Sequence, residues 1–207
     1  ADIASINGHT ARGSSVNGVT WPDPFSVSYS GEFTESSSSH LYATFTATGN
    51  VYKSTFSWWF KRKDTDNDFY AWLSSDVTVE SAIYTAHHKD DLTLNLRAGS
   101  DNVDTTNGSG WEDLDWHHVL IHFDTTNGTA ADRQAVYLDG TSVSLSSTFA
   151  SSSNTQFGAA ADYKIGIGKG SWEPANAYIA EVYRIDNANI SVTSFRDAST
   201  GSPLLYE

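Results

Sequence analysis

Nowhere in this chain does an apolar pattern keep a 3.6-residue period through three turns, which excludes a core built on long helices. Short segments rich in Val, Ile, Tyr, Phe and Trp stand in its place, separated by clusters of Gly, Asn, Ser and Asp. The plainest is STFSWWFKRK, residues 54–63, in which Phe56, Trp58 and Phe60 alternate with Thr55, Ser57 and Trp59. Side chains on a strand point to opposite faces in turn, so this run buries one face at least. Further strands are predicted at 41–47, 68–74, 81–87, 91–99, 117–124, 133–140, 163–168 and 177–186. Strands at this spacing pack as two antiparallel sheets, and the fold class is an all-β sandwich of jelly-roll type. One helical turn is expected at 191–198, where Ser191 or Thr193 offers a cap.

A chain of 207 residues suits a single core and buries roughly 70% of its unfolded surface, so it needs no covalent staple. It has no cysteine, hence no disulfide and no thiolate metal site. The net charge of −13 argues against a nucleic-acid or anionic-membrane partner. No apolar run approaches the ~20 residues of a membrane span, and no signal-peptide core opens the sequence. With Ala1 first and no methionine, the expectation is a mature product made without a leader.

Residues 1–25 read differently from the rest. They are rich in Gly, Ser and Asn, end in Pro22 and Pro24, and show no two-residue alternation. They are expected to form an N-terminal arm, either loose, or packed as a first strand, or ordered by a partner. Residues 26–207 then form the sandwich domain. The pentapeptide DTTNG occurs at 104–108 and again at 124–128, which is repeated turn chemistry. The sequons at Asn107 and Asn127 matter only in a secretory pathway.

Three stretches in order carry a resemblance. WHHVLIHFDTTNGTAADRQAVYLDG, residues 116–140, resembles the middle of the laminin-G-like branch of the concanavalin A-like lectin/glucanase superfamily. That branch has a "W-x-H-V" strand, a loop, and a strand ending in an Asn-Gly or Asp-Gly turn. YKIGIGKGSWEPANAYIAEVYRIDNANIS resembles its "IG…IAEVxxxD" ending, and SGEFTESSSSHLYATFTATGNVYKSTFSWWFKRK its opening. The resemblance spans about residues 26–200. The loop TTNGTAADR and the ending AEVYRID are most similar to the version in virion proteins of marine tailed phages. The resemblance implies a non-enzymatic structural protein of the virion, made in the host cytoplasm. A capsid decoration protein docked on the major capsid protein is preferred to a tail protein; the sequence leaves the oligomeric state open, a homotrimer being one that threefold sites of a shell accommodate. The alternative is a carbohydrate- or receptor-binding module of a tail fibre or a secreted protein.

Glucanases of that superfamily place carboxylates in an E-x-D-x-x-E or E-x-D-x-E pattern, and a retaining pair must stand ~5–5.5 Å apart. Glu181 and Asp186 are five positions apart, on opposite faces by simple alternation and ~17 Å apart along a strand. Asp113 and Asp115 of WEDLDW share a face ~7 Å apart if that segment is extended, but Glu112 does not complete the pattern. No enzyme is expected, and no cofactor apart from calcium. Laminin-G-like and pentraxin-like relatives bind calcium through loop carboxylates. Asp64, Asp66 and Asp68 occupy alternate positions of DTDND, an arrangement hard cations favour, although ordinary turn chemistry explains the same residues.

WHHVLIHFD packs three histidines into six positions. On a strand, His118 and His122 share a face ~13 Å apart, too far for one metal, while His117 joins Val119, Ile121 and Phe123 on the opposite, core face. Aromatic side chains in loop contexts suit sugar stacking and subunit anchoring alike, which makes Trp21, Trp111 and Trp172 the ligand or interface candidates.

Overall fold

The computed structural model of the chain describes residues 30–33, 41–44, 49–64, 69–75, 82–88, 91–98, 101–104, 113–153, 162–165, 176–201, 203 and 204. Within them run twelve strands: β1 (Gly31–Phe33), β2 (Leu41–Thr44), β3 (Lys53–Arg62), β4 (Phe69–Ser75), β5 (Ala82–His88) and β6 (Asp91–Ala98). The rest are β7 (Asp101–Asp104), β8 (Trp116–Asp124), β9 (Gln134–Leu138), β10 (Thr141–Val143), β11 (Asp162–Ile165) and β12 (Ala177–Asp186). They form two sheets of six, in the orders β1-β12-β3-β8-β9-β10 and β2-β11-β4-β5-β6-β7, with antiparallel pairing throughout. This is the expected two-sheet jelly roll. Residues 1–25, Trp21, Asp66, Asp68, Trp111 and Trp172 lie outside the described residues.

The strands that alternation predicted all appear, most with ends shifted by a residue or two. Residues 133–140 narrow to 134–138, because a 3-10 turn at Ala130–Asp132 and the Asp139–Gly140 turn close on either side. Strands β1, β7 and β10 have three or four residues each, too few to show a period. The turn expected at 191–198 is a 3-10 turn, Val192–Ser194, and Ser191 caps it by accepting from the Thr193 amide.

The register of β3 on β8 explains the core. Phe60 faces His117, Trp58 faces Val119, and Phe56 faces Ile121. The rings and branched chains of that face pack with Phe33, Val136, Phe149, Ile179 and, from the other sheet, Val103. Each large apolar side chain so buried stabilises the fold by ~1.5–3 kcal/mol.

The opposite face of the first sheet is buried too. Trp59, His118 and Leu120 are all shut away from solvent. The segment after β12 covers them as a third layer. Thr55 Oγ1 donates to the Ala188 carbonyl (2.7 Å) and accepts from the Ile190 amide (3.1 Å). Phe195 then packs its ring on His118 and Tyr183, at 6.3 and 5.6 Å between centroids.

Strand β12 does not alternate simply. Ala180 pairs with Trp59 and Tyr183 with Ser57, so two residues of β12 stand opposite Trp58 alone. Glu181, at φ +48°, takes the left-handed conformation that opens this bulge, and Tyr183 Oη donates to its carboxylate at 3.0 Å. The bulge switches the parity of β12, so alternation does not assign faces to Glu181 and Asp186. The two carboxylates nonetheless have separate partners: Glu181 bonds Tyr183 at mid-strand, while Asp186, at the strand's end, accepts from the Asn50 amide (2.9 Å) and from Arg184.

Candidate functional site

The β3–β8–β12 register defines two ends of the first sheet. At one, Lys53 lies beside Asp124 and Ser54 beside Asp186. At the other, Lys61 lies beside Trp116 and Arg62 beside Ala177, and the Asp139–Gly140 turn reaches the start of β8. The chemistry-bearing residues gather at this second end.

Asp139 organises it. The residue sits at φ +48° and Gly140 at +84°, the two left-handed positions that a tight hairpin between β9 and β10 demands. Aspartate tolerates that region better than most residues. Its amide donates to the His118 carbonyl at 2.9 Å. One carboxylate oxygen accepts from the His118 amide (2.9 Å), and the other contacts His117 Nδ1 (2.7 Å). The two halves of the sequence signature, "W-x-H-V" and the Asp-Gly turn, are therefore one physical unit.

His117 Nε2 also meets Asp113, at 2.8 Å. Both ring nitrogens thus face carboxylates, a geometry that calls for two N–H donors and leaves no lone pair for a metal. Burial pushes the His117 pKa down, but the hydrogen bonds and charges of Asp139 and Asp113 outweigh it, and the value lies above that of an ordinary histidine. Burial raises the Asp113 pKa, and the Asp115 amide, His117 and the Arg62 charge more than reverse that. Asp113 and Asp115 do not lie on an extended strand: residues 113–115 bend, and the Asp115 amide donates to Asp113 at 2.8 Å.

His118 shares a 2.8 Å hydrogen bond, through Nε2, with Ser57 Oγ. A serine beside an imidazole invites comparison with a nucleophile and its base. Both side chains are fully buried, the ring stacks on Trp59 (5.0 Å between centroids, 28° between planes), and no carboxylate among the described residues orients Nδ1. Burial lowers the His118 pKa to about 4, so the ring is neutral near pH 7. His122, as expected, lies on this outer face, beside Tyr137.

Asp64 also lies at this end, and its carboxylate accepts from the Asn176 side-chain amide. Its partners in the calcium reading, Asp66 and Asp68, are outside the described residues, as are Trp21, Trp111 and Trp172. Among the described residues no three His, Asp or Glu side chains are grouped to hold a metal ion. At the opposite end, the loop between β8 and β9 exposes residues 128–132, yet it is held from within. The Asn127 side chain accepts from the Thr129 amide, and Arg133 donates to the carbonyls of Asn127 and Phe149. Sequence reasoning noticed the Asp-Gly turn but not its bonds to β8, and it passed over Ser57 and Arg196. The sequence cue for Asp139 was the Asp-Gly hairpin turn itself, and its bonds to His117 and His118 depend on the pairing of β9 with β8.

Two six-stranded antiparallel sheets in this order make the chain a laminin-G-like, concanavalin A-like jelly roll. Solved structures of that fold resemble it, among them the following three. The binding domain of botulinum neurotoxin serotype D aligns at TM-score 0.53 and 12% identity, over 83% of this chain and 45% of the toxin chain. The native heptameric SAP-like pentraxin from Limulus polyphemus aligns at 0.51 and 16%, over 70% and 68%. Domains LG4-5 of the mouse laminin alpha1 chain align at 0.51 and 14%, over 78% and 43%. The chain thus spans less than half the length of the toxin and laminin chains. No protein-family model matches the sequence, and no curated protein sequence matches it.

Proposed function

We propose that this chain is a non-catalytic binding module of a tailed-phage virion, a decoration protein that docks on the exterior of the capsid. The observation that carries the non-catalytic part is the internal use of its acid–base groups. His117, Asp113 and Asp139 bond one another, and the Ser57–His118 pair is sealed beneath Trp59 and Phe195. The virion assignment rests on the TTNGTAADR loop and the AEVYRID ending, which resemble phage virion proteins. In this reading residues 1–25 and one rim of the sandwich bury apolar and aromatic surface on the shell protein, and the acidic remainder stays solvated. A homotrimer at threefold positions of the shell, or a place on the tail, is compatible with the same chemistry.

Recognition of a glycan or receptor is the second reading, favoured by likeness to a structure described as a toxin's binding domain. Mass spectrometry and immunogold labelling of purified particles test the first reading: the protein is expected on the head. Deleting residues 1–25 is expected to abolish incorporation while the sandwich still folds. Absence from particles, together with reproducible glycan-array binding, refutes the decoration role in favour of the lectin-like one.

A further inference from the structure

Arg196 differs from Lys53, Lys63, Arg133 and Arg184 in its side-chain partners. Lys53 pairs with Asp124, Lys63 with Glu32 and Arg184 with Asp186, while Arg133 serves two carbonyls. Among the described residues the Arg196 side chain meets no carboxylate or carbonyl, and its Nε is buried without an acceptor. This occurs in a chain of net charge −13, where acids are plentiful. The nearest acids in sequence to its surroundings are already engaged. Asp139 gives its two oxygens to His117 and His118, and Asp197 Oδ1 accepts from the amides and hydroxyls of Ser199 and Thr200.

The guanidinium is also held in place. Its backbone amide donates to the Val192 carbonyl, Arg196 bridges Pro203, and the neighbouring Phe195 is locked into the outer layer. The head lies in a slot between two glycine turns. A Cβ on Gly140 would come within 3.1 Å of one terminal nitrogen, and a Cβ on Gly201 within 2.7 Å of the other. Both glycines have positive φ, +84° and +75°, so the slot is built from conformations that other residues rarely adopt. Nε is closed to solvent, so an oxyanion can meet only the two terminal nitrogens, and their planar fork, held between the glycines, is suited to bidentate capture.

We infer that the Arg196 slot is a subsite for the carboxylate of an acidic sugar, an inference that rests on the binding-module reading. Thr141 and Ser142, exposed beside Gly140 in sequence, offer hydroxyls matched to sugar hydroxyls, and the exposed apolar side chains at this end among the described residues are Leu114 and Leu204. Protein partners are anchored on buried aromatic and apolar hot spots, which this rim lacks among its described residues. The strong acidity of the chain disfavours a polyanion, whereas a single carboxylate suits one guanidinium.

The test is a titration of the full chain with sodium glucuronate, followed by amide and Arg Nε NMR shifts, with glucose, sodium sulfate and a glutamate-rich peptide run in parallel. Glucuronate is expected to saturate in the millimolar range and to move the signals of Gly140, Gly201 and Arg196 Nε. Arg196→Gln is expected to weaken it at least tenfold, and Arg196→Lys less. Gly201→Ala, checked for unchanged folding by its amide spectrum, is expected to weaken binding by displacing the guanidinium. Glucuronate binding that is absent, or indifferent to Arg196→Gln, overturns the inference. So does equal or tighter binding of sulfate or the peptide. If the Arg196→Gln protein still decorates particles fully while glucuronate binding is absent from the wild type, this subsite falls and the binding-module reading stands.

Discussion

The buried His118 ring makes acid stability a quantitative test of the outer layer. In the unfolded chain its pKa is near the ordinary 6.5; in the fold, burial lowers it to about 4. The unfolded state therefore takes up a proton first as pH falls. The group's contribution is complete above the unfolded value and is lost as pH drops towards the folded one. A shift of that size corresponds to about 1.4 kcal/mol lost by roughly pH 5.5 and about 3 kcal/mol by roughly pH 4. His117 does not mimic this loss. Its pKa is raised, so its contribution is present below the unfolded value and disappears only as pH climbs through the folded one. Asp113 contributes to acid loss only as pH falls through its own lowered value, so a comparison with a non-titrating variant isolates His118. Urea denaturation of the wild type and of His118→Gln at about pH 7.5, 5.5 and 4 gives the difference directly. Wild-type stability is expected to fall by about 3 kcal/mol more than that of the variant across the range. Parallel curves, or a His118 ring that titrates near 6.5 by NMR, would refute the burial argument.

Other substitutions probe the remaining links. Asp139→Asn keeps a residue that tolerates the left-handed region but removes the charge, and is expected to cost about 1.5–3 kcal/mol in denaturant midpoint analysis. The same variant should lower the His117 pKa in an NMR titration, because the negative charge of Asp139 that supports the protonated ring is gone. Phe195→Ala is expected to cost about 3–5 kcal/mol by uncovering His118 and Tyr183; a loss under about 1 kcal/mol would mean that the third layer does not hold the sheet. Glu181→Gly should be neutral or stabilising by thermal melting, since relief of a left-handed non-glycine residue, ~1–2 kcal/mol, offsets the lost Tyr183 hydrogen bond. A clear destabilisation would show that the Tyr183 contact outweighs the backbone strain.

Particular residues show which parts of the fold alternation makes legible. Val119, Ile121 and Phe123 on β8, and Phe56, Trp58 and Phe60 on β3, follow a local rule, and the structure places them in the core as that rule predicts. The burial of His118 and Trp59 on the other face was not legible, because their cover arrives from Phe195 far along the chain. The parity of β12 failed for a related reason. A bulge at Glu181 is set by pairing with β3 and has no signature in the strand's own residues. At the candidate site, the Asp-Gly turn was visible and its partners were not. That Arg196 meets no carboxylate among the described residues is a property of what the nearby acids are doing, and no single residue reports that.

The order of synthesis runs against the order of pairing in the first sheet. β3, which carries Phe56, Trp58, Trp59 and Phe60, has β12 as one neighbour, and Thr55 closes on a carbonyl 133 residues further along. At the ~5–20 residues per second of ribosomal synthesis, that partner emerges several seconds to about half a minute after β3 itself. Until then the most aromatic strand of the molecule has an unpaired edge and an uncovered outer face, the condition under which nascent chains stick to one another. A cell making this protein in quantity would therefore need to protect the half-made sheet. Pairing on the β8 side first, which leaves a single open edge, is the order in which the chain would be least exposed.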